Sequence, residues 1–256
     1  MKKKMWKKSL LSLGIALALS GTVWAMPSGG TVEMGNVAGG LPGGVIPSGT
    51  TINVITPSVI HWDSFGIESS EALNFNGVAL LNRVTGGDPS MILGTLNINN
   101  SAWALINPNG IVVGPGAVIN ASHLLLSTLN LSNEDFMSRY GGGSGDWRME
   151  FTTPTGRTRP AEVKIQGADI GVGKGGIQVY GGTVQLLDGV SITRTPGSPE
   201  WADKNWDFLA MNHREKTIKY DGREQKGTDA LGNPIWDYHW KESQVDEATN
   251  DNLLRL

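Results

Sequence analysis

The sequence predicts an all-β protein wound as a β-solenoid, and three observations carry that prediction. Short apolar segments recur at even intervals, formal charge is almost absent over about 90 residues, and asparagine, glycine and serine fill the spaces between. From residue 41 to residue 130 the only charged side chains are Asp63, Glu68, Glu71, Arg83 and Asp88. Amphipathic helices need charge on their outer faces to stay soluble, so this stretch does not suit them. Stacked strands do.

The apolar segments fall at residues 91–93, 96–98, 103–106, 111–113, 118–119 and 124–126. Each spans two to four residues, so a strand and its turn take roughly six to eight residues, and three such units make a coil of about 20. Long antiparallel strands would show longer runs and hairpin tips; short strands with a corner after each are the solenoid pattern. The pattern resumes at residues 163–165, 170, 177–179, 184–187 and 190–192, with glycines between them. Eleven asparagines lie between residues 41 and 130. At a corner, an asparagine can hydrogen-bond to the coils above and below, as asparagine ladders do in cross-β stacks, and corner positions are expected for most of them.

The remaining segments differ in character. Residues 28–49 are rich in glycine and proline and read as a loose lead-in. Asn133-Glu134-Asp135-Phe136-Met137 reads as one short helical turn, and the glycine-rich run at 141–145 as a flexible excursion. Residues 148–159 read as a hairpin off the coil stack. Past residue 195 the composition changes: 19 of the last 56 residues are charged, and Trp201, Trp206, Trp236 and Trp240 follow no period. That tail does not read as more coils. It reads as a cap, a hairpin over the open end, or the start of a longer passenger, because a bare solenoid end stacks on another chain.

Residues 1–25 have the form of an export signal. Lys2, Lys3, Lys4, Lys7 and Lys8 make a basic start, residues 10–19 are apolar, and Val23-Trp24-Ala25 ends on a small residue suited to signal peptidase. The apolar run is short of the ~20 residues that span a bilayer. Cleavage after Ala25 removes five lysines and no acid, taking the formal charge from −3 to −8. Nucleic acid is then excluded as a partner, since phosphate binding needs a basic stripe. The chain has no cysteine, so disulfides play no part in its stability.

The most informative short motif is Asn107-Pro108-Asn109-Gly110, between the apolar runs 103–106 and 111–113. Asn, Pro, Asn and Gly in this order have the composition of a type I turn. Pro108 fixes one backbone angle and keeps Asn107 out of the helical region, so the turn is preorganised.

Around it, Ile60-His61-Trp62-Asp63-Ser64-Phe65-Gly66-Ile67, Asn74-Phe75-Asn76, the run 81–90 (LNRVTGGDPS), the run 92–96 (ILGTL) and the run 121–130 (ASHLLLSTLN) stand in fixed order. Together they resemble the N-terminal secretion domain of two-partner-secreted exoproteins, the filamentous haemagglutinin type and especially its high-molecular-weight adhesin branch. The resemblance covers about residues 41–195. It implies a right-handed parallel β-helix with short extra-helical hairpins and an N-terminal cap, occupying residues 26–195. It also implies a path: export across the inner membrane by the Sec machinery, recognition of a largely unfolded chain by the periplasmic domains of a dedicated outer-membrane β-barrel transporter, and folding outside a Gram-negative cell. By this resemblance the hallmark motif is Asn107, Pro108, Asn109 and Gly110, Asn74 and Asn76 match an earlier Asn-x-Asn position, and Asn82 and Arg83 match an Asn-Arg pair. The Asn-Pro-Asn-Leu motif of the haemolysin branch is missing.

Two other functions use folds or surfaces of this kind. Parallel β-helices also serve as polysaccharide-degrading enzymes, which need clustered carboxylates or a calcium site on adjacent coils. Asp63, Glu68 and Glu71 are close in sequence but read as a solvated corner. His61, His123, His213 and His239 lack metal-ligand spacing, so neither an enzyme nor a cofactor is expected. Trp201, Trp206, Trp236, Tyr238 and Trp240 suit a self-standing adhesin surface for a host glycan or protein, and they suit equally the packing of a cap.

Overall fold

The computed structural model of the chain describes residues 26–142, 149–194, 206–210, 217–228, 234–243 and 253–254. Residues 1–25, read above as an export signal, most of the glycine run after residue 141, Trp201 and His213 lie outside them, as do the side chains of Trp206, Trp236, Tyr238 and Trp240.

The strands are β1 (Thr31–Val37), β2 (Thr51–Trp62), β3 (Gly66–Ile67), β4 (Ala72–Gly77), β5 (Leu80–Val84), β6 (Ser90–Ile92), β7 (Thr95–Asn100), β8 (Trp103–Ile106), β9 (Ile111–Val113), β10 (Val118–Ser127) and β11 (Asn130–Leu131). One helix follows, α1 (Asn133–Tyr140). Then come β12 (Glu150–Thr152), β13 (Glu162–Ile165), β14 (Asp169–Gly181), β15 (Thr183–Leu186), β16 (Ser191–Arg194), β17 (Trp206–Ala210), β18 (Thr217–Thr228), β19 (Pro234–Ser243) and β20 (Leu253–Leu254).

These strands stack into a parallel β-helix with three faces. On the first, the front half of β2, β4, β7, the front halves of β10 and β14, and β16 pair in parallel. The second carries the back half of β2, β5, β8, the back halves of β10 and β14, and β17. The short third face runs β3, β6, β9, β13, β15. Segments 118–119 and 124–126, separate in the sequence pattern, are one bent strand. The bend falls at an irregularity between Ala121 and His123, where a Cβ on the facing Gly175 would lie 2.3 Å from that of His123, so only glycine fits.

The coil length is set by the register. Ala72 pairs with Thr95 and Thr95 with Val118, so one turn takes 23 residues, slightly more than the expected 20. Alternation along each strand then sorts the side chains. Leu73, Phe75, Leu96, Ile98, Ile119 and Ala121 point inward and are buried, and Trp62, Phe65, Phe75 and Trp103 make an aromatic cluster with ring centroids 5.5–6.5 Å apart. Each such ring removes a large apolar area from water and adds edge-to-face contact.

The outward asparagines correct the corner expectation, because they sit on strands. Asn97 Nδ2 donates to Asn74 Oδ1 at 3.0 Å and Asn120 Nδ2 to Asn97 Oδ1 at 3.0 Å. A second column runs from Asn99 to Asn76 at 3.1 Å and from Asn76 to Asn53 at 3.4 Å. Parallel in-register strands bring identical side chains into line, and an amide both donates and accepts, so a column of amides satisfies itself.

Three further expectations change. Residues 28–49 are no loose lead-in: β1 runs antiparallel along β2 and closes the first coil, with Met26 and Ile46 buried in the core. The helical turn extends to the eight-residue α1, capped by Ser132 Oγ, which accepts from the Asp135 N–H. Residues 148–159 do not form their own hairpin; β12 pairs antiparallel with β11 on one side and β18 on the other. Phe136 and Phe151 of this appendage cover the outer side of the second face, packing with Leu81, Ala104, Leu125 and Tyr180. Hence β8 is buried on both sides. The tail also contributes a coil strand, β17, stacked in parallel on β14 before the antiparallel β20 ends the series.

His123 lies beneath α1, its Nε2–H donating to Gln178 Oε1. Burial holds its pKa below the ordinary histidine value of 6.5, the Gln178 bond opposes this and nearby Arg139 adds to it. The unfolded chain therefore takes up a proton first as the pH falls, and stability is lost from about pH 6.5 downward. Thermal unfolding of His123→Gln should show a smaller drop between neutral pH and pH 5 than the parent chain.

Candidate functional site

The Asn107–Gly110 turn joins the second face to the third, between β8 and β9. The Gly110 N–H donates to the Asn107 carbonyl at 3.2 Å, which closes the turn, and Asn107 Oδ1 accepts the Asn109 N–H at 2.9 Å. Asn107 is fully buried. Its Nδ2 donates to the Asp88 carbonyl and to Ser90 Oγ, each at 3.0 Å, on the preceding coil, while its N–H reaches the Ser127 carbonyl on the next at 2.9 Å. One residue thus bolts three coils together, the side chain reaching back and the backbone N–H reaching forward. Aspartate would be isosteric but has no N–H to give, and its charge would face the Asp88 carbonyl oxygen.

Asn109 is only half-buried. Its Nδ2 donates to the Gly86 carbonyl at 2.7 Å, and its Oδ1 accepts from Arg157 Nη2. Pro108 is likewise half-buried, so this edge of the turn lies at the surface.

The Asn82-Arg83 pair points to opposite sides of β5. Asn82 faces inward and is fully buried; its Oδ1 accepts from Trp62 Nε1 at 3.0 Å and its Nδ2 donates to the Ala104 carbonyl at 3.2 Å. Arg83 faces outward and reaches the appendage, donating to Asn130 Oδ1 at 2.7 Å, to Asn133 Oδ1 at 3.1–3.2 Å and to the Leu131 carbonyl. Burial lowers its pKa from the ordinary arginine value and Glu134 pulls the other way. Asn133 Nδ2 in turn donates to His61 Nε2 at 3.3 Å, leaving His61 Nδ1 4.0 Å from Glu33 Oε2 on β1. Arg83 is the tie between coil stack and appendage. Asn74 and Asn76 belong to the two amide columns.

The eight predicted residues therefore do not converge on one pocket. They occupy three places: the amide columns, the Trp62–Asn82–Arg83 crossing and the turn. Sequence reasoning missed Asn53, Asn97, Asn99 and Asn120, although their 23-residue spacing was present to be read. It also missed Arg157, for which no local signal existed. Among the described residues, no group of three or more His, Asp or Glu side chains is placed to hold a metal ion.

With this geometry in hand, comparison with known proteins is decisive. Residues 26–229 match the TPS secretion domain family. The chain belongs to that family. The match runs past residue 195 and takes in β17 and β18, in keeping with the stacking of β17 on the coils. A heme/hemopexin-binding protein of Haemophilus influenzae is 34% identical over 182 residues, covering 66% of this chain and 18% of its own length. A second H. influenzae protein of the same description is 31% identical over 137 residues, covering 50% of this chain and 14% of its own length. The chain thus spans less than a fifth of these relatives. The crystal structure of the HMW1 secretion domain from H. influenzae superposes with a TM-score of 0.59 at 28% identity, over 83% of this chain and 49% of that one. This TPS domain is of a secretion-domain family, not an enzyme family.

Two measurements test the geometry. Asn107→Ala should cost about 2–3 kcal/mol in denaturant unfolding, because it strands the buried Ser90 hydroxyl and loses the bonds to the Asp88 carbonyl and the Asn109 N–H. Arg83→Lys should cost about 1–2 kcal/mol, since an ammonium cannot span Asn130, Leu131 and Asn133 as the guanidinium fork does. Hydrogen exchange in the Arg83→Lys variant should rise first in α1 and β12.

Proposed function

We propose that this TPS domain is the secretion address of an exported, adhesin-like surface exoprotein. In this reading residues 1–25 are a leader removed by signal peptidase after Sec export, and an outer-membrane β-barrel transporter with periplasmic domains takes the chain onward. The coils then stack outside a Gram-negative cell. The observation that carries the reading is the family match over residues 26–229, within which the Asn-Pro-Asn-Gly turn stands fully formed. A solenoid supplies the physics. Each coil uses the previous one as its template, so folding starts at one end and propagates, and a chain folding outside does not slip back. The passenger is a proposal of the same kind, and the ligands in the relatives' names are not carried over to a segment that spans 18% of the longer match.

Within this reading the turn has two parts. Asn107 shapes it and Asn109 presents it. Release into the medium, measured in a Gram-negative host with and without a cognate transporter, should depend on the transporter. Asn107→Ala should reduce both stability and release, whereas Asn109→Ala should fold near-normally and stay in the periplasm. Equal release of all forms without any transporter refutes the address.

A further inference from the structure

The segment between β12 and β13 crosses the surface edge of the turn. Pro154 and Pro160 are buried and pin its two ends, while residues 155–159 between them are exposed. The Arg157 N–H donates to the Pro154 carbonyl at 3.1 Å, and Gly156 sits at φ +79°. A glycine with positive φ at the third position of such a turn is the type II arrangement, so the strap turns as a hook at residues 154–157. At its far end the Ala161 carbonyl accepts from Thr128 Oγ1 at 2.7 Å and from the Gly182 N–H at 2.9 Å. The hook presents Arg157 to Asn109 Oδ1.

We propose that this strap is a built-in competitor for the address: Arg157 fills the acceptor on Asn109 that the incompletely folded chain offers to the transporter. The proposal rests on the address reading above and adds its regulation. Sequence order gives it direction. The inner support of Asn109 comes from Gly86, 23 residues earlier, and the Asn107 N–H finds the Ser127 carbonyl 20 residues later, so the turn is complete before residue 157 is in place. Its cover comes from Arg157, 48 residues later, and is held down by contacts to residues 128 and 182. Between those two stages the turn is formed and open. Once the following coils close, every polar group on the Asn107 and Asn109 side chains that faces the chain is internally matched. Folding then ends recognition and frees the domain. The partner chemistry follows from the occupant: the transporter meets Asn109 with a cationic or amide N–H donor in the position the guanidinium later takes.

The test is binding of the full chain, folded or held in urea, to the purified periplasmic domains of a cognate two-partner transporter. Folded parent chain should bind weakly, and folded Arg157→Ala at least tenfold more tightly, with an unchanged melting temperature. Arg157→Lys, which keeps a donor, should bind like the parent. Equal weak binding of folded parent and Arg157→Ala, with the urea-held chain still captured through Asn109, overturns the strap and leaves the address intact. No capture of any form, folded or unfolded, removes the address itself and the strap with it.

Discussion

In-register parallel pairing between successive coils is the constraint on which the rest of this domain depends. A strand of three to six residues cannot satisfy its own backbone, and each coil's N–H and C=O groups find partners only on the coils either side. Register cannot drift, because a one-residue slip would turn Leu73, Phe75, Leu96 and Ile98 to solvent and draw Asn74, Asn76, Asn97 and Asn99 into the core. The aromatic cluster of Trp62, Phe65, Phe75 and Trp103 fixes the register from inside, and the two amide columns fix it from outside. Core and surface thus specify the same 23-residue turn.

Such a stack has two open ends and a long bare face, and the chain treats each with antiparallel structure. β1 lies along the first coil and β20 along the last described strand of the second face, and in both places a reversed strand interrupts the parallel series. On the second face, α1, β11 and β12 cover apolar residues that would otherwise be exposed between neighbouring strands. Arg83 holds that cover in place with bonds to both β11 and the first turn of α1. A point charge could not do this, whereas the planar fork of guanidinium suits three acceptors on two elements.

The residues that the resemblance singles out are built into the fold. Asn107 and Asn82 are fully buried, and every bond they make is internal. Within the turn, Pro108 and Asn109 reach the surface. On the proposed reading, this division lets one tetrapeptide be both a structural bolt and an address: its first residue fixes the turn, its third stays within reach, and the strap covers it.

By itself the sequence determined the fold class. Short apolar segments, absent charge and a well-formed Asn-Pro-Asn-Gly turn are local signals, and local signals survive in a linear string. The asparagines were legible as coil chemistry but were assigned to corners, because their true position depends on which residues align across coils 23 apart. Only the tertiary structure decided that Arg83 reaches Asn133, that β17 returns to the coil stack after a charged stretch, and that Arg157 lands on Asn109. The reason is physical: each of these contacts joins residues about 30 to 50 positions apart, and their meeting is set by the cumulative geometry of stacked turns, which no neighbouring residue encodes.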